Sequence, residues 1–366
     1  MSTYAARLNA ARQIAGVDAI AIVPGWNLIY FTGLHMHLQV RPTILFITPD
    51  SLAMIIPRLE LQTLAERPDL NVQPFAWGDD EGFARAFHDA LDALGLRGRT
   101  LGIDGMTMRA TEMLHLQNTA PGLRIVPVER ELIRIRSIKG SEEIAALRKA
   151  VHIAEAALSD LLREVAPGMS ERQIAGRLSA LMDAHGGEGN SFEPAVQTGP
   201  NSANPHAPAG ERLLGRDEFL LIDFGCRVGG YPSDITRTFC LGTPTAEMQR
   251  IYDTVLRANE AARTAAKPGV AMGAVDSAAR AVIAEAGYGE HFTHRTGHGL
   301  GLDIHEPIPQ IAPGVQDVLE PGMCFTIEPG IYLPGMGGVR IEENVVVTAD
   351  GIDVLTSFER RLTLPR

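Results

Sequence analysis

Short apolar runs alternate with amphipathic stretches over the first 130 residues of the chain. The pattern predicts a helix over Ala5–Ala15 and strands over Ala19–Val23, Thr43–Thr48 and Thr100–Ile103. Helices that alternate with buried strands are typical of an α/β domain. We therefore expect a small α/β domain over residues 1–137.

The rest of the chain repeats itself. The helices of the two predicted pairs begin at Ser141, at Ser170, near Thr243 and near Met272. Ser141 is the expected cap of the first helix, and Ser170 begins the second in a capping box with Gln173. The first helix of each pair ends at a Pro-Gly step, at Pro167 and at Pro268, and a glycine-rich segment and a strand-turn-strand pattern follow each pair. Two similar halves predict a pseudo-twofold domain over residues 138–366 with a site between them.

The first predicted hairpin, residues 219–239, carries two aspartates. Asp223 and Asp234 are symmetric about a turn at Val228-Gly229-Gly230, so we expect them opposite one another on adjacent strands. Opposed carboxylates repel each other. Both should point away from the apolar face of the hairpin. The residues of that face are Leu220, Ile222, Phe224, Ile235 and Phe239.

The second predicted hairpin, residues 323–347, carries two glutamates. Glu328 and Glu342 are symmetric about Gly335, so they too should face each other. Four converging buried carboxylates would be very costly without a counter-charge. A divalent cation, or two, is the economical explanation. Arg340 precedes Glu342 by two residues and points to the same face, where it would bind substrate or compensate charge.

Histidines cluster in the same half. The glycine-rich segment 294–306 contains His294, His298 and His305. One imidazole added to four carboxylates suits manganese, cobalt or zinc. His206 precedes His305 by about one repeat length, so it is expected to line the site from the other half.

Composition excludes several classes of protein. The formal net charge of −11 gives no basic surface for nucleic acid or anionic lipid. The longest apolar runs are too short to span a membrane. Three cysteines in 366 residues argue against a disulfide framework and favour a cytoplasmic location.

These residues resemble those of the pita-bread metallopeptidases, the group of methionine aminopeptidase, aminopeptidase P and prolidase. The segment 16–34 is similar to the opening of a creatinase-type N-terminal domain. The resemblance implies a creatinase-like α/β domain followed by an α+β pita-bread catalytic domain. It also implies two divalent ions, manganese before cobalt or zinc. The implied ligands are Asp223, Asp234, His298, Glu328 and Glu342, of which Asp234 and Glu342 would bridge both ions.

The resemblance further implies hydrolysis, in which paired cations activate water and polarise the scissile carbonyl. Glu328 would accept the proton and return it to the leaving nitrogen. His294 and His305 would stabilise the oxyanion or position the substrate. His206, His305 and Arg340 would bind the substrate.

The creatinase-like domain favours Xaa-Pro substrates over the removal of an initiator methionine. We prefer a dipeptidase (prolidase), with aminopeptidase P acting on longer peptides as the alternative. Many prolidases have an arginine near the fourth position beyond the histidine matched by His305, where this chain has Pro309 and Gln310. Two other classes remain open, a metal-free creatinase-like C–N hydrolase and a catalytically silent binding module.

Dimeric relatives suggest a homodimer in which the loop 34–41 caps the partner's active site. This loop would carry His35, His37 and Arg41. A solvated loop without such a role is the competing interpretation.

Overall fold

The structure, a computed structural model, describes residues 3–364. The chain divides into two compact units, one ending at Arg136 and the other beginning at Ser137. Each unit has a buried hydrophobic core.

The first unit is an α/β domain built on a mixed six-stranded sheet in the order β4-β3-β2-β1-β5-β6. Its strands are β1 (Ala19–Ile22), β2 (Ile44–Ile47), β3 (Leu52–Pro57), β4 (Val72–Trp77), β5 (Thr100–Ile103) and β6 (Arg124–Pro127). Its helices are α1 (Thr3–Arg12), α2 (Trp26–Thr32), α3 (Leu61–Ala65), α4 (Ala84–Ala93), α5 (Ala110–Thr119) and α6 (Glu129–Ser137). The predicted strands lie within one residue of the observed bounds, because a run of largely buried apolar residues marks where each strand begins and ends.

The second unit contains the two predicted helix pairs. They are α7 (Ser141–Glu164) with α8 (Glu171–Ala184), and α9 (Ala246–Ala265) with α10 (Met272–Glu285). The capping box of α8 is present: Gln173 N–H donates to Ser170 Oγ at 3.2 Å and Ser170 N–H donates to Gln173 Oε1 at 2.9 Å. The predicted cap at Ser141 is wrong, since Gly140 is the N-cap of α7. The Glu143 carboxylate accepts the Gly140 N–H at 2.9 Å and satisfies this helix end instead.

Antiparallel strands follow each helix pair. One sheet has the order β11-β8-β7 and another the order β13-β12-β14-β17-β18, with two short hairpins, β9–β10 and β15–β16. The strands are β7 (Ala195–Thr198), β8 (Phe219–Phe224), β9 (Arg227–Val228), β10 (Tyr231–Pro232), β11 (Ile235–Cys240), β12 (Gly297–Gly299), β13 (Glu306–Ile311), β14 (Cys324–Ile327), β15 (Gly330–Leu333), β16 (Gly337–Arg340), β17 (Glu343–Val347) and β18 (Ile352–Val354).

The two Pro-Gly steps occupy equivalent places in the repeat. Gly168 and Gly269 both have a left-handed φ, of 94° and 81°. Their amides donate to Leu214 O and Leu319 O, each at 2.8 Å. A left-handed residue just beyond a helix favours glycine, because a side chain there would be strained. The matching hydrogen bonds show that the halves share one local design.

The register of the first hairpin differs from the prediction by two residues. Asp223 pairs with Thr236 rather than with Asp234. The turn lies at Gly229 and Gly230, both with positive φ, and not one residue earlier. Asp223 and Asp234 are therefore diagonal neighbours on one face, a position that still lies within reach of long-range repulsion. The predicted apolar face is buried, as expected.

The register of the second hairpin agrees with the prediction. Ile327 pairs with Glu343 and Gly330 pairs with Arg340, so the intervening Glu328 lies opposite Glu342. Two residues outside the strands, 328–329 and 341–342, separate β14 from β15 and β16 from β17 at this level. Both glutamates therefore sit at the junction of two short ladders and not inside either one.

Within residues 3–364, no helix is long and apolar enough to cross a membrane. All three cysteines fall in this range, and each is a buried free thiol.

Candidate metal centre

One cavity of about 410 Å³ in the second unit brings the predicted site residues together. It is lined by the candidate ligands and by the candidate substrate-binding side chains. Those residues are His206, Asp223, Asp234, His294, His298, His305, Glu328, Arg340 and Glu342. His206 and Glu342, which are 136 positions apart in sequence, thus line the same cavity.

The deepest part of the cavity holds three candidate ligands. Donor atoms of Asp234, His298 and Glu342 all lie within 4.8 Å of one another, and each residue is at most 5% exposed. His298 Nε2 lies 3.4 Å from Asp234 Oδ2 and 3.4 Å from Glu328 Oε1. His298 Nδ1 lies 3.0 Å from Gly299 O, which orients Nε2 toward the acids. Two carboxylates and one imidazole aimed at a common point are a typical divalent metal site.

Electrostatics at this point favour a bound cation. Burial and the charges of Asp223 and Glu328 raise the pKa of Asp234 well above its usual range. Burial, Asp234 and Glu328 likewise raise the pKa of Glu342. Burial also acts on Glu328, but the nearby His298, together with the other positive groups, lowers its pKa on balance. Carboxylates with such raised pKa values need a positive charge between them in order to stay ionised.

Arg340 supplies part of that charge and is bound on every side. Its Nη2 donates to Asp223 Oδ2 at 2.6 Å, its Nε to Thr236 Oγ1 at 2.9 Å and its Nη1 to Tyr332 OH at 2.8 Å. This geometry demonstrates charge compensation, the second of the two roles that the sequence left open. Binding of substrate by Arg340 stays a prediction.

Asp223 keeps one unused oxygen. Its Oδ2 is held by Arg340, whereas its buried Oδ1 has no hydrogen-bond partner in the described part of the chain. A buried carboxylate oxygen without a partner carries a desolvation cost of about 1–3 kcal/mol or more. A cation at the cavity floor would remove that cost. The donor set and this orphaned oxygen both fit the divalent ions that the sequence predicts.

Several residues that sequence reasoning missed support the ligands. Thr236 Oγ1 donates to Glu342 Oε2 at 2.7 Å, and Thr326 Oγ1 donates to Glu328 Oε1 at 3.1 Å. Tyr332 OH lies 2.8 Å from His294 Nε2. Their positions could have been found from strand alternation, since Thr236 shares a strand face with Asp234 and Thr326 is two residues before Glu328.

His206 lies on a loop that is fastened at both ends and in the middle. The buried Glu171 carboxylate accepts Thr198 N–H at 2.8 Å, Asn201 Nδ2 at 3.0 Å and Gly210 N–H at 3.0 Å. Gln197 Nε2 donates to the carbonyl oxygens of Asn204 and Ala207, at 2.9 and 2.8 Å. An exposed side chain on a loop fastened this way has a defined place at the cavity rim.

A second arginine lines the cavity and was also missed. Arg295 is half-buried, and among residues 3–364 its guanidinium forms no ion pair. It follows His294 directly, in the segment that the sequence had marked only for histidines. Its free guanidinium can bind an anionic group of a ligand.

The flanking histidines differ in their surroundings. His294 is half-buried, and this burial lowers its pKa. The His305 ring is exposed and meets the His298 ring edge-to-face, with the centroids 4.4 Å apart. Both histidines lie at the cavity wall, His294 beside Tyr332 and His305 beside a candidate ligand.

Comparison with known families decides what this site belongs to. Residues 145–349 match the model of metallopeptidase family M24, and residues 5–138 match the creatinase/prolidase N-terminal domain. The chain belongs to metallopeptidase family M24. The five candidate ligands all lie inside the matched M24 segment, and the family implies divalent metal ions.

Relatives within family M24 resemble this chain over nearly its full length. The Xaa-Pro dipeptidase of Pyrococcus horikoshii is 35% identical over 94% of both chains. The solved dipeptidase PepE from Mycobacterium ulcerans is 35% identical with a TM-score of 0.92 and covers 99% of this chain and 98% of its own. The solved X-Pro aminopeptidase from Thermotoga maritima is 31% identical with a TM-score of 0.85 and covers 97% of this chain and 100% of its own. The predicted creatinase-like and pita-bread architecture is confirmed.

Proposed function

We propose that this chain hydrolyses Xaa-Pro peptide bonds in dipeptides with the help of two divalent metal ions. The observation that carries the proposal is the buried group Asp234, His298 and Glu342, which converges at the floor of an open cavity. Manganese is the first candidate for both ions, with cobalt or zinc as alternatives. The names of the curated relatives, Xaa-Pro dipeptidase among them, support this substrate class.

The proposed ligands are the five residues of the family resemblance. Asp223 would offer its free Oδ1, Asp234 and Glu342 would serve both ions, and His298 and Glu328 would complete the set. When bound, the ions lower the pKa of water and polarise the scissile carbonyl. The intact acidic set argues against a metal-free hydrolase and against a silent binding module.

The remaining side chains would handle protons and position the substrate. Glu328 would accept the proton of the attacking water and pass it to the leaving nitrogen. His294, whose two ring nitrogens contact Tyr332 OH and Arg295 O, would position the substrate. His305 would donate a hydrogen bond to the oxyanion or position the carbonyl. The cavity wall beside them is largely apolar, which suits a proline ring. That wall includes Phe192, Pro194, Ala195, Pro205, Ala207 and Pro208.

The preference for dipeptides rests on Arg295. A dipeptide presents a free carboxylate directly after proline, and an unpaired half-buried guanidinium at the cavity is a suitable partner. Arg340 is already bound to Asp223, and Arg41 binds Asp79 of its own unit at 2.6 Å. We therefore favour Arg295 over Arg340 and over Arg41 of a partner subunit as the group that binds the substrate carboxylate.

Aminopeptidase P activity is the second candidate. The similarity to a solved X-Pro aminopeptidase extends over the whole of that chain. Such an enzyme leaves the direction beyond proline open for further residues. The two activities therefore differ in what they demand of Arg295.

The test compares kcat/KM for an Xaa-Pro dipeptide, for its C-terminal amide and for the same dipeptide extended by one residue. Masking the carboxylate should cost a dipeptidase at least about tenfold, ~1.4 kcal/mol of transition-state stabilisation. Equal or faster cleavage of the extended peptide would replace the dipeptidase by aminopeptidase P. Metal analysis of the purified protein separates both from the metal-free alternatives.

We further propose a cytoplasmic homodimer with domains over residues 1–137 and 138–366. The loop 34–41 has no regular secondary structure and would cap the partner's active site. The ion pair of Arg41 with Asp79 is solvent-exposed and therefore contributes little stability, so it could open in a dimer. Sedimentation that finds a fully active monomer would refute the capping role.

A further inference from the structure

Asp234 is held through its main chain by a residue of the other half of the repeat. Asn344, fully buried in β17, accepts the Asp234 N–H at 3.1 Å through Oδ1. Its Nδ2 donates to the Asp234 carbonyl oxygen. Both ends of one amide thus bind one residue, and this fixes the main chain that carries the Asp234 carboxylate.

Glu342 is held in turn by a residue of the half that carries Asp234. Arg237, 1% exposed in β11, donates through Nη1 to the Glu342 carbonyl oxygen at 2.6 Å. Its Nη2 donates to Phe358 O at 3.0 Å and lies 3.3 Å from the Glu343 carboxylate. The strand that follows Asp234 therefore supplies the side chain that holds Glu342, and the strand that follows Glu342 supplies the side chain that holds Asp234.

These contacts join two separate sheets. β11 and β17 belong to different sheets, so a strand ladder does not set the distance between Asp234 and Glu342. One main-chain bond, from Glu342 N–H to Thr236 O at 3.1 Å, crosses at this level. The side chains of Arg237 and Asn344 add the other direct ties to the main chain of the two acids. Neither side chain lines the cavity, so neither is placed to touch a substrate.

Stability alone is a weak reason for an arginine at this position. A buried guanidinium has a large desolvation cost, and apolar replacements of buried ion pairs are often neutral or stabilising. Arg237 Nε is moreover buried without a hydrogen-bond partner in the described residues. What Arg237 offers over an apolar side chain is a planar fork that binds Glu342 O and the Glu343 carboxylate at once.

We propose that Arg237 and Asn344 form a reciprocal backbone clamp that sets the separation of the Asp234 and Glu342 carboxylates and so enables the site to hold two metal ions. The inference rests on the proposed function, because it takes both acids as ligands of both ions. The clamp residues are positioning residues. Groups that orient metal ligands affect metal affinity by about 10–100-fold.

The test uses Asn344→Ala and the conservative Arg237→Lys, which keeps the charge and loses the fork. Asn27→Ala is the matched control: Asn27 is a buried asparagine of the first unit that donates to Asp104 at 2.8 Å and accepts from Arg136 at 2.6 Å. Metal-free proteins are titrated with Mn²⁺ by calorimetry, and spin coupling between two bound ions is followed by electron paramagnetic resonance. Melting temperatures and circular dichroism are recorded for each protein.

We expect the clamp variants to bind the more weakly held of the two Mn²⁺ ions about 10–100-fold less tightly. Spin coupling between the two ions should be lost. The control variant should have a lower melting temperature, but its Mn²⁺ affinity and spin coupling should be those of the wild type. Wild-type stoichiometry, affinity and coupling in folded Asn344→Ala and Arg237→Lys would overturn the clamp and leave the proposed function standing. A wild-type protein that binds fewer than two ions would instead overturn the proposed function, and the clamp with it. If Asn344→Ala does not fold, Arg237→Lys alone decides.

Discussion

The phenolic oxygen of Tyr332 lies 2.8 Å from Nε2 of His294. The same oxygen accepts a hydrogen bond from Arg340 Nη1 at 2.8 Å, so it donates its proton to His294. Burial raises the pKa of Tyr332 to about 12, which keeps this proton in place at neutral pH. His294 must then carry its own proton on Nδ1, where it meets Arg295 O at 2.7 Å. Tyr332 thereby fixes both the tautomer and the ring orientation of His294.

Tyr332→Phe should reduce kcat/KM because it releases His294 and leaves Arg340 Nη1 short of a partner. A buried donor that loses its partner costs about 1–3 kcal/mol, so we expect a lower melting temperature as well. Tyr231→Phe is the matched control, since Tyr231 OH donates to Glu143 at 2.6 Å away from the cavity. Equal kcat/KM for wild type and Tyr332→Phe, with only the melting temperature changed, would reduce Tyr332 to a structural role.

Removal of metal should abolish activity and lower the melting temperature. Without cations, the buried Asp234 and Glu342 repel each other and Asp223 Oδ1 lacks a partner. Added Mn²⁺ should restore both properties, because a ligand that binds only the folded state stabilises it. Activity assays and thermal melts before and after chelation check this. Full activity after verified metal removal would refute the hydrolytic mechanism.

Glu342→Ala should be more damaging than loss of an exposed acid. It removes a ligand assigned to both ions and frees the hydroxyl of Thr236. We expect loss of activity together with weaker binding of Mn²⁺, measured by calorimetry. Glu290→Ala, an exposed change outside the cavity, is a suitable comparison. A Glu342→Ala protein that still binds two ions would show that Glu342 is not a shared ligand.

Glu171→Gln should raise KM more than it lowers kcat. Glutamine keeps one acceptor oxygen and replaces the other by an amide nitrogen, which cannot accept a hydrogen bond. The loop that carries His206 therefore loses either the bonds from Thr198 and Asn201 to Oε1 or the bond from Gly210 to Oε2, and should loosen. Steady-state kinetics with an Xaa-Pro dipeptide measure the effect. Glu155→Gln is the control, because this buried carboxylate accepts three hydrogen bonds from Ser357 and Phe358 away from the cavity. Identical kinetics for both variants would mean that the loop does not position the substrate.

The cysteines should be unreactive in the native protein. Burial raises the pKa of Cys226 and of Cys240 to about 11, and that of Cys324 to about 12. The thiolate is the reactive form, so iodoacetamide at pH 8 should leave all three unmodified until the chain is denatured. Mass spectrometry counts the labels. Rapid labelling with loss of activity under native conditions would contradict this.

The four acids of the two hairpins could be placed on facing positions from the sequence because hairpins impose local symmetry. For Glu328 and Glu342 the estimated turn centre was correct, and so was their pairing. For Asp223 and Asp234 the turn lies at Gly229-Gly230, which moves the partner of Asp223 to Thr236. An error of two residues keeps both acids on one face, because strand side chains alternate with a period of two. The face was therefore right although the pairing was wrong.

Contacts between distant segments could not be predicted in this way. Asn344 meets Asp234 and Arg237 meets Glu342 across two sheets, a packing that periodicity along one strand does not encode. The sequence placed Arg340 on the correct face, but its hydrogen bond to Asp223 depends on how the two halves of the repeat pack together. No spacing or repeat in the sequence distinguishes Arg295, which lies in the segment of the three histidines. Its significance follows only from the absence of an ion pair in the described structure.

Arg295→Gln should raise KM for an Xaa-Pro dipeptide and leave cleavage of the dipeptide amide nearly unchanged. A charge-assisted hydrogen bond contributes about 1.5–3 kcal/mol, so kcat/KM for the free dipeptide should fall by about 10–100-fold. Arg295→Lys keeps the charge without the fork and should recover part of the loss. Arg216→Gln, the same change at an exposed arginine outside the active-site cavity, is the control.

The amide turns this comparison into a double-mutant cycle between Arg295 and the substrate carboxylate. If the two groups interact, masking the carboxylate should cost the wild type about tenfold or more and cost Arg295→Gln almost nothing. Additive losses would mean that Arg295 acts elsewhere, and would return the role to His206 or to the loop 34–41 of a partner subunit. Wild-type indifference to the amide would remove the need for a carboxylate partner, because an aminopeptidase P must accept peptides that continue beyond proline.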